Sequence, residues 1–179
     1  MKEIDLMREV LKCENAAITH LIESLDESHL RVVEICKKCS GKIILTGIGK
    51  SGHVARKISA TLASLGTPSF FLHPAEAAHG DLGMVEKKDI VMMISKSGET
   101  DELIQLISSL KIIGCRLIGI FCEKSSTLEK YCDETIVLPV EKEACINNLA
   151  PTTSTTVTMA FGDAIAVALS SAKNFNRQD

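Results

Sequence analysis

An α/β fold built on a doubly wound, five-stranded parallel sheet is what this sequence predicts, and three observations lead there. Five short apolar runs, Ile43–Leu45, Ser69–Leu72, Ile90–Ile94, Leu117–Phe121 and Thr135–Leu138, read as buried strands. Helix-like segments at Ser51–Leu65, Thr100–Ile113 and Ser125–Tyr131 fall between them. Strands that alternate with helices pair in parallel, with helices covering both faces of the sheet. For five strands the flavodoxin-like order 2-1-3-4-5 is the commonest choice.

Taken in order, the chain opens on a helix from Ile4 to Leu25, where Met7, Val10, Leu11, Ile18, Leu21, Ile22 and Leu25 recur at helical spacing. A second helix follows from about Leu30 to Lys38. The segment Pro74–Lys88, between strands two and three, is less regular and has room for one short helix. After strand five, Pro151 opens a long segment that is apolar on most faces from Val157 to Leu169. A helix apolar all round is usually buried. At the end of a small domain a subunit interface is the expected place, through a stripe of Val157, Phe161, Ile165 and Leu169 with Ala160, Ala164 and Ala168 beside it. The predicted assembly is a homo-oligomer, a dimer or tetramer. There is no internal repeat or linker. The chain reads as a single domain over 1–179, with N-terminal helices over 1–40 and an α/β core over 41–179.

Composition narrows the function classes. The 179 residues are enough for one domain with a full core. A net charge of -3 gives no basic face for a nucleic-acid backbone. With no Trp and one Tyr, base-stacking platforms are not expected either. The N-terminus, Met1-Lys2-Glu3-Ile4-Asp5, lacks the apolar core of a signal peptide. No run approaches the roughly 18 apolar residues of a membrane span, so no membrane partner is expected. Seven cysteines, an odd count without a secretory signal, read as reduced thiols of a cytoplasmic protein. Cys36 and Cys39 form a C-x-x-C without a second pair, and a structural zinc needs four converging ligands, so they read as ordinary helix residues.

Two loops are built for an anion. Gly47-Ile48-Gly49-Lys50-Ser51-Gly52 follows the first strand and opens a helix, which is the context a G-x-G-x-x-G requires. Its glycines permit a tight turn, and the helix start offers free N–H groups. Phosphate or sugar-phosphate binding, a dinucleotide fingerprint and a purely structural turn are all open to it. Strand two runs into His73-Pro74 rather than an acidic ribose-binding residue, although Glu76 lies just beyond. A Walker loop is excluded because its first glycine would fall on Ile44. The second loop, Ser95-Lys96-Ser97-Gly98-Glu99-Thr100, follows strand three and opens another helix. Alone it would serve as a helix cap. In the order 2-1-3-4-5, however, strands one and three are neighbours at the topological switch point, so both loops face one crevice. Gly49, Ser51, Ser95, Ser97 and Thr100 are thus candidate ligands for a small phosphorylated molecule.

Candidates for proton chemistry lie near the same place. His73 and His79 flank Glu76, at a spacing that does not make a zincin pair. They read either as proton carriers near neutral pH or as braces for their loop. Glu102 lies just inside the helix after the Ser loop, and Glu143 follows strand five. Each is a surface charge or, if desolvated in the crevice, a carboxylate raised toward general-base range.

Several blocks together resemble the arabinose-5-phosphate isomerases, within the wider sugar-isomerase (SIS) fold group. They are Gly47–His53, the His-Pro-x-Glu-Ala-x-His-Gly-Asp-Leu-Gly run from His73 to Gly83, Ser95–Thr100, Lys142-Glu143-Ala144-Cys145 and Leu149–Thr156. The resemblance runs from about Lys42 to Phe175. It implies interconversion of ribulose 5-phosphate and arabinose 5-phosphate through a cis-enediol, supplying the acid sugar Kdo of lipopolysaccharide or capsule. It also implies catalytic positions at Lys50, Glu102 and Glu143 and substrate-binding positions at His73, His79, Gly66 and Thr67, with further contacts over Gln105–Gly114. It implies that His73 can take zinc, that the chemistry needs no metal, and that no cofactor is involved. The family's usual tandem CBS modules and a His-Pro-Gly-Gly-like segment carrying another catalytic histidine have no counterpart here. The expectation is therefore a chain that binds pentose 5-phosphates and isomerises them slowly, if at all. The alternatives are a non-catalytic sugar-phosphate sensor or an isomerase of the hexulose-6-phosphate or sedoheptulose-7-phosphate type.

Overall fold

The computed structural model describes residues 2–176. Two helices come first, α1 (Glu3–Ser24) and α2 (Glu27–Lys37). They part at Asp26, which is extended. Its carboxylate accepts the Ser28 N–H at 2.8 Å, while His29 Nδ1 accepts the Asp26 N–H at 3.2 Å. This reciprocal cap satisfies donors that the new helix would otherwise leave bare.

The core then alternates as expected. It comprises β1 (Ile43–Thr46), α3 (Gly49–Ser64), β2 (Ser69–Phe71), α4 (Pro74–Ala78), β3 (Ile90–Ile94), α5 (Asp101–Ile113), β4 (Arg116–Phe121), β5 (Glu134–Val137) and α6 (Thr153–Ala172). The strands form one parallel sheet in the order β2-β1-β3-β4-β5. Ile43 of β1 lies opposite Ser69 on one side and Ile90 on the other. The expected short helix between β2 and β3 is α4, followed by one 3₁₀ turn at Asp81–Met84. The helix expected at Ser125–Tyr131 is only a 3₁₀ turn at Leu128–Tyr131. Ser125 has a φ of 61°, outside the helical region, and its N–H is taken by the Glu129 carboxylate, so no longer helix can start there.

Successive strand residues point to opposite faces and fill two cores. Ile43, Leu45, Ile90, Met92 and Ile94 face the core shared with α1, α2, α3 and α6. Ile44, Val91 and Met93 face the core shared with α4 and α5. The C-terminal helix departs from expectation. Val157, Phe161, Ile165 and Leu169 are all buried within this one chain, and α6 packs on α3, α1 and α2. Those four residues of the stripe read as a subunit interface are therefore core, whereas Ala164 and Ala168 beside them are exposed. Gly162 permits the approach, since a β-carbon there would overlap the Ile58 side chain of α3. By length and composition alone, α6 is also the one described helix apolar enough to cross a membrane, contrary to the expectation that none would be. Core packing accounts for part of that composition: 39% of the apolar stretch is buried, while Val167 is 59% exposed.

Candidate functional site

The loops after β1 and β3 open at the same end of the sheet, because Thr46 and Met93 are paired neighbours. Between them lies a small crevice lined by Ser51 and Val54 of α3, Ile94 at the end of β3, Ser95 and Lys96 after it, Cys122 after β4, and Ser154, Thr155 and Thr158 of α6. This is the switch point, where ligands of open α/β sheets bind. The starts of α3 and α6, together with the loop that opens α5, contribute to it.

The Ser loop braces itself with its own hydroxyls. Ser95 is buried, its Oγ accepts the Gly98 N–H at 3.0 Å, and it shares a 2.8 Å hydrogen bond with the Thr100 hydroxyl. Ser97 Oγ accepts the Glu99 N–H at 3.2 Å. Gly98 has a φ of 67°, and a β-carbon there would overlap Ser126, so glycine is required on both counts. The Glu99 carboxylate accepts the Thr127 N–H at 2.6 Å and ties the loop to its neighbour. Ser51 is half-buried in the crevice, whereas Gly49 and Lys50 are exposed at the first turn of α3.

His73 caps α4, its Nδ1 accepting the Ala75 N–H at 3.2 Å, with the ring edge-on to Phe71 at 6.2 Å. His79 ends the same helix and is exposed. Glu102 is exposed on the first turn of α5, against which α4 packs. Lys50, His73, His79 and Glu102 thus all lie at the crevice end of the sheet. No hydrogen bond or ion pair joins their side chains to one another among the described residues. Nor, among the described residues, does any group of three or more His, Cys, Asp or Glu side chains stand where it could hold a metal ion.

Gly66 and Thr67 are not brought to this crevice. They precede β2, at the far end of the sheet. Thr67 is buried with its hydroxyl accepting from Lys173 at 2.9 Å, and the Phe175 ring lies over Gly66. The Gln105–Gly114 stretch likewise runs away from the crevice down α5, with Leu106, Ile107 and Leu110 in the core.

Glu143 is the most heavily engaged side chain of the site. It is 3% exposed. Its Oε2 accepts the N–H groups of Thr152 at 2.8 Å and Ser154 at 3.1 Å, and the Thr152 hydroxyl at 3.3 Å. Its Oε1 takes the Ser154 hydroxyl and the Lys96 ammonium, the latter at 3.1 Å. Burial alone would raise its pKa. The Ser154 hydroxyl, the two backbone N–H groups and Lys96 outweigh burial and hold it at about 2. Desolvation therefore does not turn Glu143 toward general-base range, as the sequence reading allowed. The carboxylate caps α6 instead. Its own loop is preset: the Glu143 N–H donates to Asn148 Oδ1 at 2.6 Å, and Cys145 Sγ accepts the N–H groups of Leu149 and Ala150 at 3.1 Å. The same two bonds, Ala150 first, lower the Cys145 pKa.

Lys96, Ser154, Thr155 and Cys122 line the site without having been singled out as site residues. For α6 the signal was present. Thr152–Thr156 is a hydroxyl-rich run opening a helix, the same pattern as in the other two loops. Lys96 gave no signal beyond its place between two serines.

A model of the SIS domain matches residues 19–168. The arabinose 5-phosphate isomerase KpsF of Escherichia coli O6:H1 (strain CFT073) is 52% identical over 177 residues, or 98% of this chain and 54% of its own. The arabinose 5-phosphate isomerase KdsD of Yersinia pestis is 46% identical over 172 residues, or 96% of this chain and 52% of its own. The chain thus spans about half the length of these curated relatives. Among solved structures, an E. coli CFT073 protein in complex with arabinose 5-phosphate is similar with a TM-score of 0.96 and 43% identity, over 100% of this chain and 97% of that one. A Methanococcus jannaschii protein, whose structure inferred a 3-hexulose-6-phosphate isomerase function, is similar with a TM-score of 0.78 and 25% identity, over 94% and 93%. With its strand order, its loops and this match over most of its length, the chain belongs to the SIS domain family.

Proposed function

We propose that this protein interconverts D-ribulose 5-phosphate and D-arabinose 5-phosphate by moving a proton between C1 and C2 through a cis-enediol. The observation that carries the reading is the pairing of two hydroxyl-bearing helix starts at the switch point, in a fold similar at a TM-score of 0.96 to a protein in complex with arabinose 5-phosphate. The names of the relatives near 50% identity support the same substrate, and the hexulose-6-phosphate reading rests on a much more distant likeness. The product would feed the eight-carbon acid sugar of lipopolysaccharide or capsule, in the cytoplasm.

In this reading the phosphate sits among Gly49, Ser51, Ser95, Ser97 and Thr100. Their N–H and O–H groups replace its hydration, and the helix starts favour its charge. His73 and His79 bind the sugar, and Lys50 stabilises the enediolate charge. Of the two carboxylates, Glu102 is the proton carrier, because it is unencumbered at the crevice rim. A carboxylate held at about 2 is a weak proton acceptor near neutral pH, so Glu143 acts by positioning α6 and Lys96. Gly66 and Thr67 meet substrate only if a second protomer presents them.

The protein self-associates in this proposal, through the exposed apolar face of α1. Met7 and Leu11 are 60% and 65% exposed, and they adjoin a recess formed by Leu6, Val10, Ile146 and Leu149. An isomerase assay of ribulose 5-phosphate against hexulose and heptulose phosphates tests the proposal. Turnover confined to ribulose 5-phosphate supports it. Binding of arabinose 5-phosphate without any turnover would replace it with a sensor.

A further inference from the structure

The crevice contains a conflict that its proposed ligand must resolve. Glu143 is a fully buried carboxylate, its side chain having no solvent exposure, and it is ionised. It stands behind Ser154 and Lys96, which line the same crevice as Ser51 and Ser95 of the proposed phosphate set. A dianion entering there meets a fixed negative charge. At low local dielectric such a like-charge approach is costly unless a cation lies between the two. One cation is in place. The Lys96 ammonium is 3.1 Å from Glu143 Oε1, and its side chain is 39% exposed, so it reaches both the buried carboxylate and the open crevice. Its backbone is fixed, because the Lys96 carbonyl accepts the Cys122 N–H at 2.8 Å and Ser95 beside it is buried. Lys50, the other lysine at this end, is exposed on α3 and makes no ion pair among the described residues.

We propose that Lys96 is a shared counterion: it neutralises Glu143 in the free protein and turns its ammonium toward the phosphate when one enters the crevice. It is thereby a specificity residue for the dianionic group. Four donors remain on Glu143 while the lysine turns, namely the N–H and hydroxyl groups of Thr152 and Ser154, so the carboxylate stays ionised and α6 stays capped. This role rests on the phosphate site proposed above and extends it to a residue outside the hydroxyl set.

Calorimetry on the full chain, titrated in parallel with inorganic phosphate and arabinose 5-phosphate, tests it. Lys96→Met removes a charge-assisted contact and is expected to weaken both ligands by about tenfold or more. Lys96→Arg restores most of the affinity. Glu143→Gln keeps an acceptor for the α6 N–H groups while freeing the lysine, and it is expected to tighten inorganic phosphate severalfold. A merely structural clamp would weaken binding in both Lys96→Met and Glu143→Gln. Phosphate affinity unchanged in Lys96→Met, or no tighter in Glu143→Gln that melts cooperatively, overturns the proposal. If the lysine dependence holds for inorganic phosphate and ribulose 5-phosphate is not turned over, the isomerase reading fails and the counterion stands.

Discussion

Two glutamates came out of the sequence with the same standing, and the structure separates them. Glu102 sits on the first turn of α5, exposed, one step beyond a loop whose shape is held by its own hydroxyls. Glu143 is buried in a long connection, with partners drawn from α6 and from the loop after β3. A carboxylate that accepts several hydrogen bonds and an ammonium is held in the ionised form. The comparison teaches that position near the crevice does not by itself set a carboxylate's surroundings.

The sharpest way to break this contrast is to remove each acid in turn. Glu102→Gln should lower isomerase turnover by about 10²–10⁴-fold, the usual worth of a positioned acid–base group, and should leave the melting temperature nearly unchanged. A variant that keeps its turnover while losing stability would reverse the two assignments. Glu143→Leu should instead cost about 2–4 kcal/mol of folding stability in denaturant unfolding, because it orphans the Thr152 and Ser154 donors and leaves Lys96 unpaired.

The same contrast has a pH signature. The Glu143 carboxyl is lowered from 4.5 to about 2 on folding, so its contribution is fully present above pH 4.5 and is lost as pH falls from there toward 2. Unfolding measured across that window should show a steeper decline for the wild type than for Glu143→Leu, the two converging at the acid end. Parallel curves would mean that the carboxylate is not held ionised.

A smaller effect sharpens the local side of the comparison. Ser51→Ala and Ser97→Ala should each weaken sugar-phosphate binding by about 1–2 kcal/mol, the loss of one hydrogen bond to a charged group. Stability should hardly move, since neither hydroxyl ties distant elements together. Unchanged affinity in both variants by calorimetry would place the phosphate elsewhere.

Much of this was open to a reader of the residues. The sheet and its order followed from apolar runs alternating with helical spacing, and the two anion loops from glycines and hydroxyls next to strand ends. These are local signals. Three of the hydrogen bonds that shape the Ser95–Thr100 loop close within it, between residues two to five apart, so composition foretells part of its geometry. The 3₁₀ turn at Leu128–Tyr131 shows the limit even locally, because a positive φ at Ser125 stopped a helix that the residue types favoured.

By itself, then, the sequence determined the fold class and the hydroxyl-bearing loops that open at the switch point, because period, capping and turn chemistry act over a few residues. Tertiary structure alone decided three things. It buried the α6 stripe against α3, with Gly162 allowing the contact, where the apolar pattern had equally suited an interface. It carried Gly66 and Thr67 to the far end of the sheet, because the loops before and after a parallel strand lie at opposite edges of the sheet. And it set Lys96 beside Glu143, fixing the charge state of a carboxylate through a partner that no spacing along the chain could have named.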